Sequence, residues 1–327
     1  MISGGARGFA RLRPGDRVAV IAPSGPVDPG RLESGCGVLR DLGLDVVVAK
    51  HALDRVNLGE VGTVRDDWQR LAGTDADRAA DLQAAWCDPD VRAVVCARGG
   101  YGATRILDHL DWAAMAGAAV TDRGPKILHG SSDITALHTA FGARFGVTTA
   151  FGPMPAGVLA DGAGDDHEAS LASLRTAWFG GAPEPVVGTH ALSPGRAEGP
   201  LTGGTLALLT ATLGTPWAPA PAAGHIVFLE DVTEAPYRID RMLTQLLQAG
   251  WFDGATGVVL GPWTGCGDPA EADAVVAGRL GPLGVPILAG IPAGHGTRQL
   301  TLELGAPALL DADAGTLTLH VPAGGVR

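Results

Sequence analysis

The chain has 327 residues, of which 46% are hydrophobic and 18% charged, and its formal net charge at pH 7 is −11. This length and composition predict a globular protein of two domains with a sizeable hydrophobic core. The negative charge argues against nucleic acid and anionic membrane surfaces as partners. No run of about 18 apolar residues occurs, which argues against a membrane span.

Two further features bear on the cellular compartment. Residues 1–14 contain three arginines but no apolar stretch of the secretory type, so we expect a cytoplasmic protein. The four cysteines form no CxxC pair; they are Cys36, Cys87, Cys96 and Cys266. This spacing favours free thiols in a reducing compartment over a zinc site or a disulfide framework.

Strand-like and helix-like segments alternate through the first half of the chain. Short apolar runs predict strands, and apolar residues at helical spacing predict helices between them. In chain order these are strand 17–22, helix 31–42, strand 44–48, helix 72–87, strand 91–96, a helix ending at 110, strand 126–129 and a further helix. The alternation predicts a mostly parallel sheet with helices on both faces, where ligands collect at the carboxyl ends of the strands.

The second half predicts a separate α/β domain with a β-rich end. Residues 161–200 are rich in Gly, Ala, Pro and acidic residues, so we interpret them as a connection, with one helix at 170–179, between domains 1–160 and 201–327. The remaining predicted elements are strands 225–229, 257–260 and 286–289, an amphipathic helix 234–248, and alternating segments 300–304 and 316–321.

Ser132 follows the strand predicted at 126–129 and precedes a helix in which Ile134 and Leu137 recur at helical spacing. A serine at such a turn can present its hydroxyl above the sheet edge as a nucleophile, with the N–H of Asp133 as an oxyanion donor. A serine at the start of a helix is equally typical of an N-cap. The chain has no GxSxG motif, which disfavours an ordinary α/β-hydrolase.

Glu230 follows the apolar run 225–229, at the predicted carboxyl end of a strand. A carboxylate there can orient a catalytic histidine. Asp231 and Glu234 compete for this role, and Glu230 is also interpretable as a solvent-facing charge before the next helix.

His295 lies between Gly294 and Gly296, which leave room for a ligand or a partner side chain to approach the imidazole. A neutral histidine is the usual base for a serine nucleophile. An ordinary loop histidine is the alternative, and His129 and His138 are competing bases because they lie near the serine in sequence.

The segment Arg98-Gly-Gly-Tyr-Gly102 lies at the same predicted sheet edge as the serine. It lacks the Lys-Ser/Thr of a P-loop and the GxGxxG of a dinucleotide site. Its glycines allow close backbone approach, which suits an oxyanion donor or a bound peptide carboxylate, and a tight turn explains them equally. The sequence has no HExxH and no cluster with metal-ligand spacing, so we expect neither a metal nor a cofactor.

In their order along the chain, these segments resemble the LD-carboxypeptidase family of serine peptidases, which includes the microcin-immunity hydrolases. The matching stretches cover almost the whole chain: 17–25, 71–75 with the following helix, 97–105, 130–135, 152–154, 229–231, 237–243 and 294–296. The resemblance implies a flavodoxin-like N-terminal domain and a smaller C-terminal α/β domain with a swivelling-type β topology.

The resemblance also implies the site residues. Ser132 would be the nucleophile, His295 the general base and Glu230 the residue that orients the histidine. The oxyanion hole would consist of the backbone N–H groups of Asp133 and Gly100. The active site would lie between the domains, without a cofactor, and members of the family are commonly homodimers.

The implied substrate is a muropeptide tetrapeptide, from which the enzyme would release terminal D-Ala during peptidoglycan recycling. We predict Arg98, Tyr101 and Arg238 as substrate-binding residues, because an arginine suits the free carboxylate of D-Ala. Arg105 and Arg241 are further candidates.

Two residues depart from the family pattern, and two other functions compete with the carboxypeptidase. Ser131 stands where the family often has Tyr or Phe, and Thr205 stands where it has Asn, so both can alter substrate fit. The first rival hydrolyses microcin-type acyl-sulfamoyl or acyl-phosphoramidate adenylates with the same triad; the low aromatic content, 5%, disfavours a nucleobase platform. The second rival is a non-enzymatic small-ligand binding protein, in which Ser132 is only a helix cap.

Overall fold

The computed structural model describes residues 6–57 and 70–319. Its strands are β1 (Arg17–Ile21), β2 (Asp45–Val48), β3 (Val56–Asn57), β4 (Arg70–Leu71), β5 (Val91–Cys96), β6 (Val120–Thr121), β7 (Gly124–Pro125), β8 (Ile127–Gly130), β9 (Thr149–Phe151), β10 (Val186–Val187), β11 (His190–Ser193), β12 (Arg196–Thr205), β13 (Ile226–Val232), β14 (Gly257–Thr264), β15 (Ile287–Ala289), β16 (Leu302–Leu304), β17 (Pro307–Asp311) and β18 (Thr316–Leu319). Its α-helices are α1 (Pro29–Asp41), α2 (Asp75–Cys87), α3 (Ala103–Ile106), α4 (Trp112–Ala118), α5 (Thr135–Phe145), α6 (Asp165–Phe179), α7 (Leu206–Ala211), α8 (Pro236–Gln248) and α9 (Pro269–Leu280).

The first sheet has the strand order β16-β9-β8-β5-β1-β2. Strands β1, β2, β5, β8 and β9 of this sheet are parallel to one another. When these five are renumbered 1 to 5 in chain order, their order across the sheet is 2-1-3-4-5, as in flavodoxin. Alternate residues of β1 enter two different cores, Val18 and Val20 on one face, Ala19 and Ile21 on the other. The predicted parallel α/β fold is therefore confirmed, because strands covered on both faces read as continuous apolar runs.

The second sheet has eight strands in the order β10-β18-β17-β12-β13-β14-β15-β11. Strands β12 to β15 are parallel to one another and the outer strands are antiparallel, which confirms the mixed, β-rich second domain. Helix α8 covers one face with Ile239, Leu243 and Leu246, all buried. On the other face Phe228 packs edge-on against Phe151 of the first sheet, with ring centroids 5.2 Å apart.

Several element boundaries differ from the sequence predictions. The helix predicted to end at Leu110 stops at Ile106 and continues as a 3-10 turn, because Asp111 caps the start of α4 by accepting from the N–H groups of Ala113 and Ala114. Helix α6 begins at Asp165, earlier than predicted, and acidic residues in its first turn stabilise that end. His320 and Val321, at the end of the last predicted strand, lie outside the described residues.

The domain boundaries 1–160, 161–200 and 201–327 stay a prediction. Within 161–200 the structure has helix α6, whose Leu174 and Trp178 pack on the first sheet, and strands β10 and β11 of the second sheet. Strand β16, from the last range, pairs antiparallel with β9 of the first sheet. Over residues 6–57 and 70–319, no helix combines the length and apolar character needed to cross a membrane.

Candidate active site

Ser132 occupies a strained turn between β8 and α5. Its φ is +62°, a left-handed conformation that costs a residue with a side chain about 1–2 kcal/mol. A 3-10 turn, Ser132–Ile134, leads from the strand into the helix, and neither this turn nor α5 has a side-chain cap. The N-cap interpretation of this serine is therefore wrong, and its hydroxyl is available for other contacts.

That hydroxyl contacts His295, which in turn contacts Glu230. His295 Nε2 lies 2.9 Å from Ser132 Oγ, and His295 Nδ1 lies 2.6 Å from Glu230 Oε2. The three side chains that the sequence predicts for a triad thus form one chain of hydrogen bonds. The serine belongs to the first sheet, whereas the glutamate lies within β13 of the second sheet, near its carboxyl end.

Glu230 is fully buried, and each carboxylate oxygen has a donor. Oε2 also accepts from the backbone N–H of His295 at 3.0 Å, and Oε1 accepts from the hydroxyl of Thr205. Gly294 makes this possible, because a Cβ there would lie 2.4 Å from Oε2. The carboxylate therefore fixes both the ring and the main chain of the histidine.

Thr205 contacts Glu230, whereas in the sequence it stands out only as a departure from the family pattern. Besides its bond to Glu230, its backbone N–H donates to the hydroxyl of Thr135 at 3.1 Å. Thr135 begins α5, one turn beyond Ser132. Thr205 therefore joins the carboxylate of the second sheet to the helix that follows Ser132, a link that no local sequence signal predicts.

The pKa of His295 is raised above its ordinary value of 6.5. Burial acts to lower this pKa, but the hydrogen bond to Glu230 and the charges of Glu230 and Asp231 outweigh it. A more basic imidazole is a better acceptor for a hydroxyl proton.

The competing histidines have other partners. His129 Nε2 lies 2.8 Å from the carbonyl oxygen of Pro153, and His138 Nε2 lies 2.9 Å from that of Gly130. Both rings are buried, which lowers the pKa of each to about 4. Each histidine is therefore a neutral core residue.

The competing carboxylates also have other partners. Asp231 accepts from the backbone N–H groups of Ala207 and Val232 at 2.8 Å, and burial raises its pKa to about 7. Glu234 faces Arg238 across one helical turn at 3.5 Å. Glu230 is thus the carboxylate that the structure brings to His295.

The glycine loop (residues 98–102) passes directly over the serine. A Cβ on Gly99 would lie 2.8 Å from Ser132 Cβ and 3.3 Å from the backbone nitrogen of Asp133. The Gly99 carbonyl accepts from the N–H of Gly25 at 3.2 Å, and Gly100 has a φ of +113°. Glycine is required at both positions, by close packing at the first and by backbone conformation at the second.

Among the described contacts, none of the three predicted substrate-binding residues bonds to Ser132, His295 or Glu230. Arg98 is half-buried and donates from Nη1 to the carbonyl of Pro26 at 3.0 Å. Tyr101 is exposed at the tip of the glycine loop. Arg238 lies in the first turn of α8, where it contacts Tyr237 and Glu234.

The described residues contain one group with metal-ligand character, formed by His51, Asp54 and Asp77, whose ligand atoms lie within 4.8 Å of one another. His51 Nδ1 lies 2.7 Å from the Asp54 carboxylate, and Nε2 lies 3.8 Å from that of Asp77. This cluster is partly exposed, and it includes none of Ser132, Glu230 and His295.

Models of the two LD-carboxypeptidase domains match this chain, the N-terminal domain over residues 18–152 and the C-terminal domain over residues 198–310. A Streptomyces coelicolor protein named as a carboxypeptidase is 53% identical to this chain over 320 residues, which is 96% of each chain. The murein tetrapeptide carboxypeptidase of Pseudomonas aeruginosa is 32% identical, over 91% of this chain and 94% of its own length.

Two solved structures share the fold. The muramoyltetrapeptide carboxypeptidase of Oxalobacter formigenes has a TM-score of 0.76 and 30% identity, covering 93% of this chain and 97% of that one. The microcin C7 self-immunity protein, solved with aspartyl sulfamoyl adenosine, has a TM-score of 0.79 at 22% identity, covering 96% and 98%. The second likeness establishes the shared fold alone.

Proposed function

This chain belongs to the LD-carboxypeptidase family of serine-type hydrolases, and on that premise we propose that it releases the terminal D-alanine from muropeptide tetrapeptides. The observation that carries the proposal is the hydrogen-bonded chain from Ser132 through His295 to Glu230. In this proposal Ser132 is the nucleophile, His295 the general base and Glu230 the orienting carboxylate.

The reaction is an acyl transfer. His295 Nε2 removes the proton of Ser132 Oγ as that oxygen attacks the amide carbonyl, while Glu230 stabilises the imidazolium that forms. His295 then protonates the amine of the leaving D-alanine, and the C–N bond breaks. Water, deprotonated by the same imidazole, hydrolyses the acyl-enzyme and restores the serine.

The developing oxyanion would be bound by two backbone N–H groups, those of Asp133 and Gly100. The trans peptide between Gly99 and Gly100 directs its carbonyl towards Gly25, so its N–H points to the opposite side. The start of α5 adds partial positive charge behind Asp133. Each such donor is worth about 3–4 kcal/mol of transition-state stabilisation.

The leaving group carries a free carboxylate, and the chain as a whole carries a net charge of −11. Binding this anion therefore requires a local cation, for which we propose Arg98 and Arg238, with Tyr101 beside the reacting bond. Arg98 already uses Nη1 on Pro26, which leaves its other guanidinium nitrogens for the substrate.

The test is D-alanine release from a purified meso-diaminopimelate tetrapeptide, measured by mass spectrometry for the wild type, Ser132→Ala and Ser131→Ala. We expect release by the wild type and by Ser131→Ala, which keeps the hydroxyl that contacts His295, and none above background by Ser132→Ala. Undiminished release by a folded Ser132→Ala would exclude the assigned nucleophile.

Substrate choice needs a second arm. Aspartyl sulfamoyl adenosine is offered to the same preparations, and we expect the wild type to leave it intact. Hydrolysis of this compound together with no release of D-alanine would replace the proposed substrate with an acyl-sulfamoyl adenylate while retaining the serine chemistry.

The proposal places this enzyme in the cytoplasm as a homodimer, as the family resemblance implies. Sedimentation equilibrium of the purified chain should give twice the monomer mass of 33.2 kDa. A monomer at the concentrations used for the activity assay would contradict the dimer.

A further inference from the structure

Two loops meet beside Ser132, one after β1 and one after β5. The first contains Pro23, Ser24 and Gly25, and the second is the glycine loop with the following Ala103. Near the serine they are joined by the hydrogen bond from the Gly25 N–H to the Gly99 carbonyl. They are also joined by two buried side chains of opposite charge.

The positive side chain is Arg78 of α2, which is 1% exposed. Its Nη1 donates to the carbonyl of Pro23 and, at 2.9 Å, to the carbonyl of Gly102, while Nη2 donates to Asp75. Gly102 permits this approach, because a Cβ there would lie 2.9 Å from Nη1. One guanidinium thus holds one carbonyl from each loop.

The negative side chain is that of Asp133, the residue that follows the nucleophile, and it is 2% exposed. Its Oδ2 accepts from the hydroxyl of Ser24 at 2.6 Å and from the N–H of Ala103 at 2.7 Å. Each loop therefore presents a carbonyl to Arg78 and, one residue later, a donor to Asp133.

Burying these two charges opposes their ionisation. Burial lowers the pKa of Arg78, against the influence of Asp75 and Asp133, and raises the pKa of Asp133, against its hydrogen bonds and the charge of Arg78. Arg78 is ion-paired with Asp75 rather than with Asp133, and burying charged groups costs free energy even when they are paired. What this arrangement provides is a fixed distance between the two loops and the serine turn.

We propose that Arg78 and Asp133 are a pair of positioning residues that hold the glycine loop against Ser132, so that the Gly100 N–H faces the oxyanion. The inference rests on the proposed serine chemistry, but it assigns a role to two side chains that the triad and the oxyanion donors do not use. Arg78 acts through the loops, and the Asp133 carboxylate acts in addition to its own backbone N–H.

The experiment measures Ser132 labelling by a fluorophosphonate, which needs the nucleophile and the oxyanion hole but no peptide, together with kcat and KM for D-alanine release. In Arg78→Lys the positive charge remains. A single ammonium group, however, cannot bind the two carbonyls and Asp75 at once, as the forked guanidinium does. We expect the labelling rate and kcat to fall together by about 10- to 100-fold, the effect of a displacement near 1 Å, while KM stays unchanged.

The matched control is Arg123→Lys. Arg123 is partly buried, less so than Arg78, and it likewise bridges a carboxylate, that of Asp16, and a backbone carbonyl, that of Arg11, but it contacts neither loop. We expect this variant to lose thermal stability to a similar extent while keeping its labelling rate and kcat. Equal losses of labelling in both arginine variants, or no loss in Arg78→Lys, would overturn the inference.

Three further variants keep the test decisive if Arg78→Lys does not fold. Ser24→Ala removes one donor to Asp133 and should slow labelling by several-fold, about as expected for one lost hydrogen bond. Asp133→Asn retains an oxygen that can accept from both donors, so it should be labelled faster than Asp133→Ala. Equal rates for these two Asp133 variants contradict the positioning role.

Failure of the proposed substrate would give a different result from failure of the positioning role. If the wild type is labelled at Ser132 but releases no D-alanine, the proposed substrate is wrong. The labelling rates of the variants still decide whether Arg78 and Asp133 are positioning residues. A wild type that is not labelled at Ser132 overturns both.

Discussion

The edges of the two sheets hold their parts of the site in different ways. At the edge of the first sheet the position of Ser132 is set by the backbone. Its φ is +62°, it begins a 3-10 turn, and Gly99 packs so closely that a Cβ on it would lie 2.8 Å from the Cβ of Ser132. At the edge of the second sheet the positions of Glu230 and His295 are set by hydrogen bonds to side chains, with glycines making room for them.

This difference predicts two kinds of sensitivity. Side-chain changes at the second edge should alter the proposed proton transfer while Ser132 stays in place. Steric changes at the first edge should displace Ser132 or the proposed oxyanion donors, whatever the protonation state of His295. The following variants separate these effects, in order of decreasing expected size.

The largest effect is expected for Glu230→Gln. An amide in place of the carboxylate no longer holds the imidazole in the correct tautomer or stabilises its charge, so kcat/KM should fall by about 10⁴-fold. Steady-state D-alanine release measures this loss. Glu198→Gln, on an exposed position of β12, serves as the control and should keep full activity. Activity of Glu230→Gln close to the wild type would remove Glu230 from the triad.

Gly99→Ala should have the next largest effect, through the first edge. The added methyl would lie 2.8 Å from Ser132 Cβ, too close for a real contact, so the turn or the glycine loop must move. A displacement near 1 Å should lower kcat by about 100-fold. In Gly117→Ala, a helical glycine of α4 with open space at its Cβ, kcat should not change. Equal kcat values for the two variants would contradict close packing at the serine.

Thr205→Val sharpens the account of the second edge. Valine keeps the shape of threonine but leaves Glu230 Oε1 without its donor, so kcat should fall by about 10-fold, the lower end for a partner that orients a site residue. Thr205→Ser retains the hydroxyl and should recover most of the activity. If both variants lose activity equally, packing rather than the hydrogen bond explains the effect.

The smallest effect concerns pH. In the proposed mechanism neutral His295 is the base, so its raised pKa should place the acid limb of kcat/KM above pH 6.5, with activity increasing as pH rises through that limb. The residual activity of Glu230→Gln should have its limb at lower pH, because the hydrogen bond and charge that raise this pKa are gone. A pH–rate profile of each enzyme measures the shift, and identical limbs would mean that another group titrates.

Much of the fold could be predicted from the sequence, because it depends on local pattern. Strand β5 has the predicted bounds, β1 and β2 differ from them by one residue, and helix α8 begins two residues later than predicted and ends at the predicted residue. Periodicity reports burial directly, and proline and glycine mark the ends of elements. Strands β9 and β12 were not predicted, since short or glycine-rich segments carry little periodicity. Helix α9 was not predicted either, although its buried Ala272, Val276 and Leu280 recur at helical spacing.

The site residues were predicted by a different route. Ser132, Glu230 and His295 each had an ordinary alternative interpretation, and the family resemblance singled them out. The competing candidates His129, His138 and Asp231 could be set aside only in the folded chain, where each has other hydrogen-bond partners.

The sequence by itself therefore determined the α/β class, the order of most elements and the residues with the right chemistry. The tertiary structure decided what no local pattern contains: the left-handed turn at Ser132, the pairing of β16 with the first sheet, and the contacts of Glu230 with Thr205 and His295. The physical reason is distance along the chain. Local pattern encodes which surface a residue buries, whereas contacts between residues 25 to 163 positions apart depend on how the sheets pack.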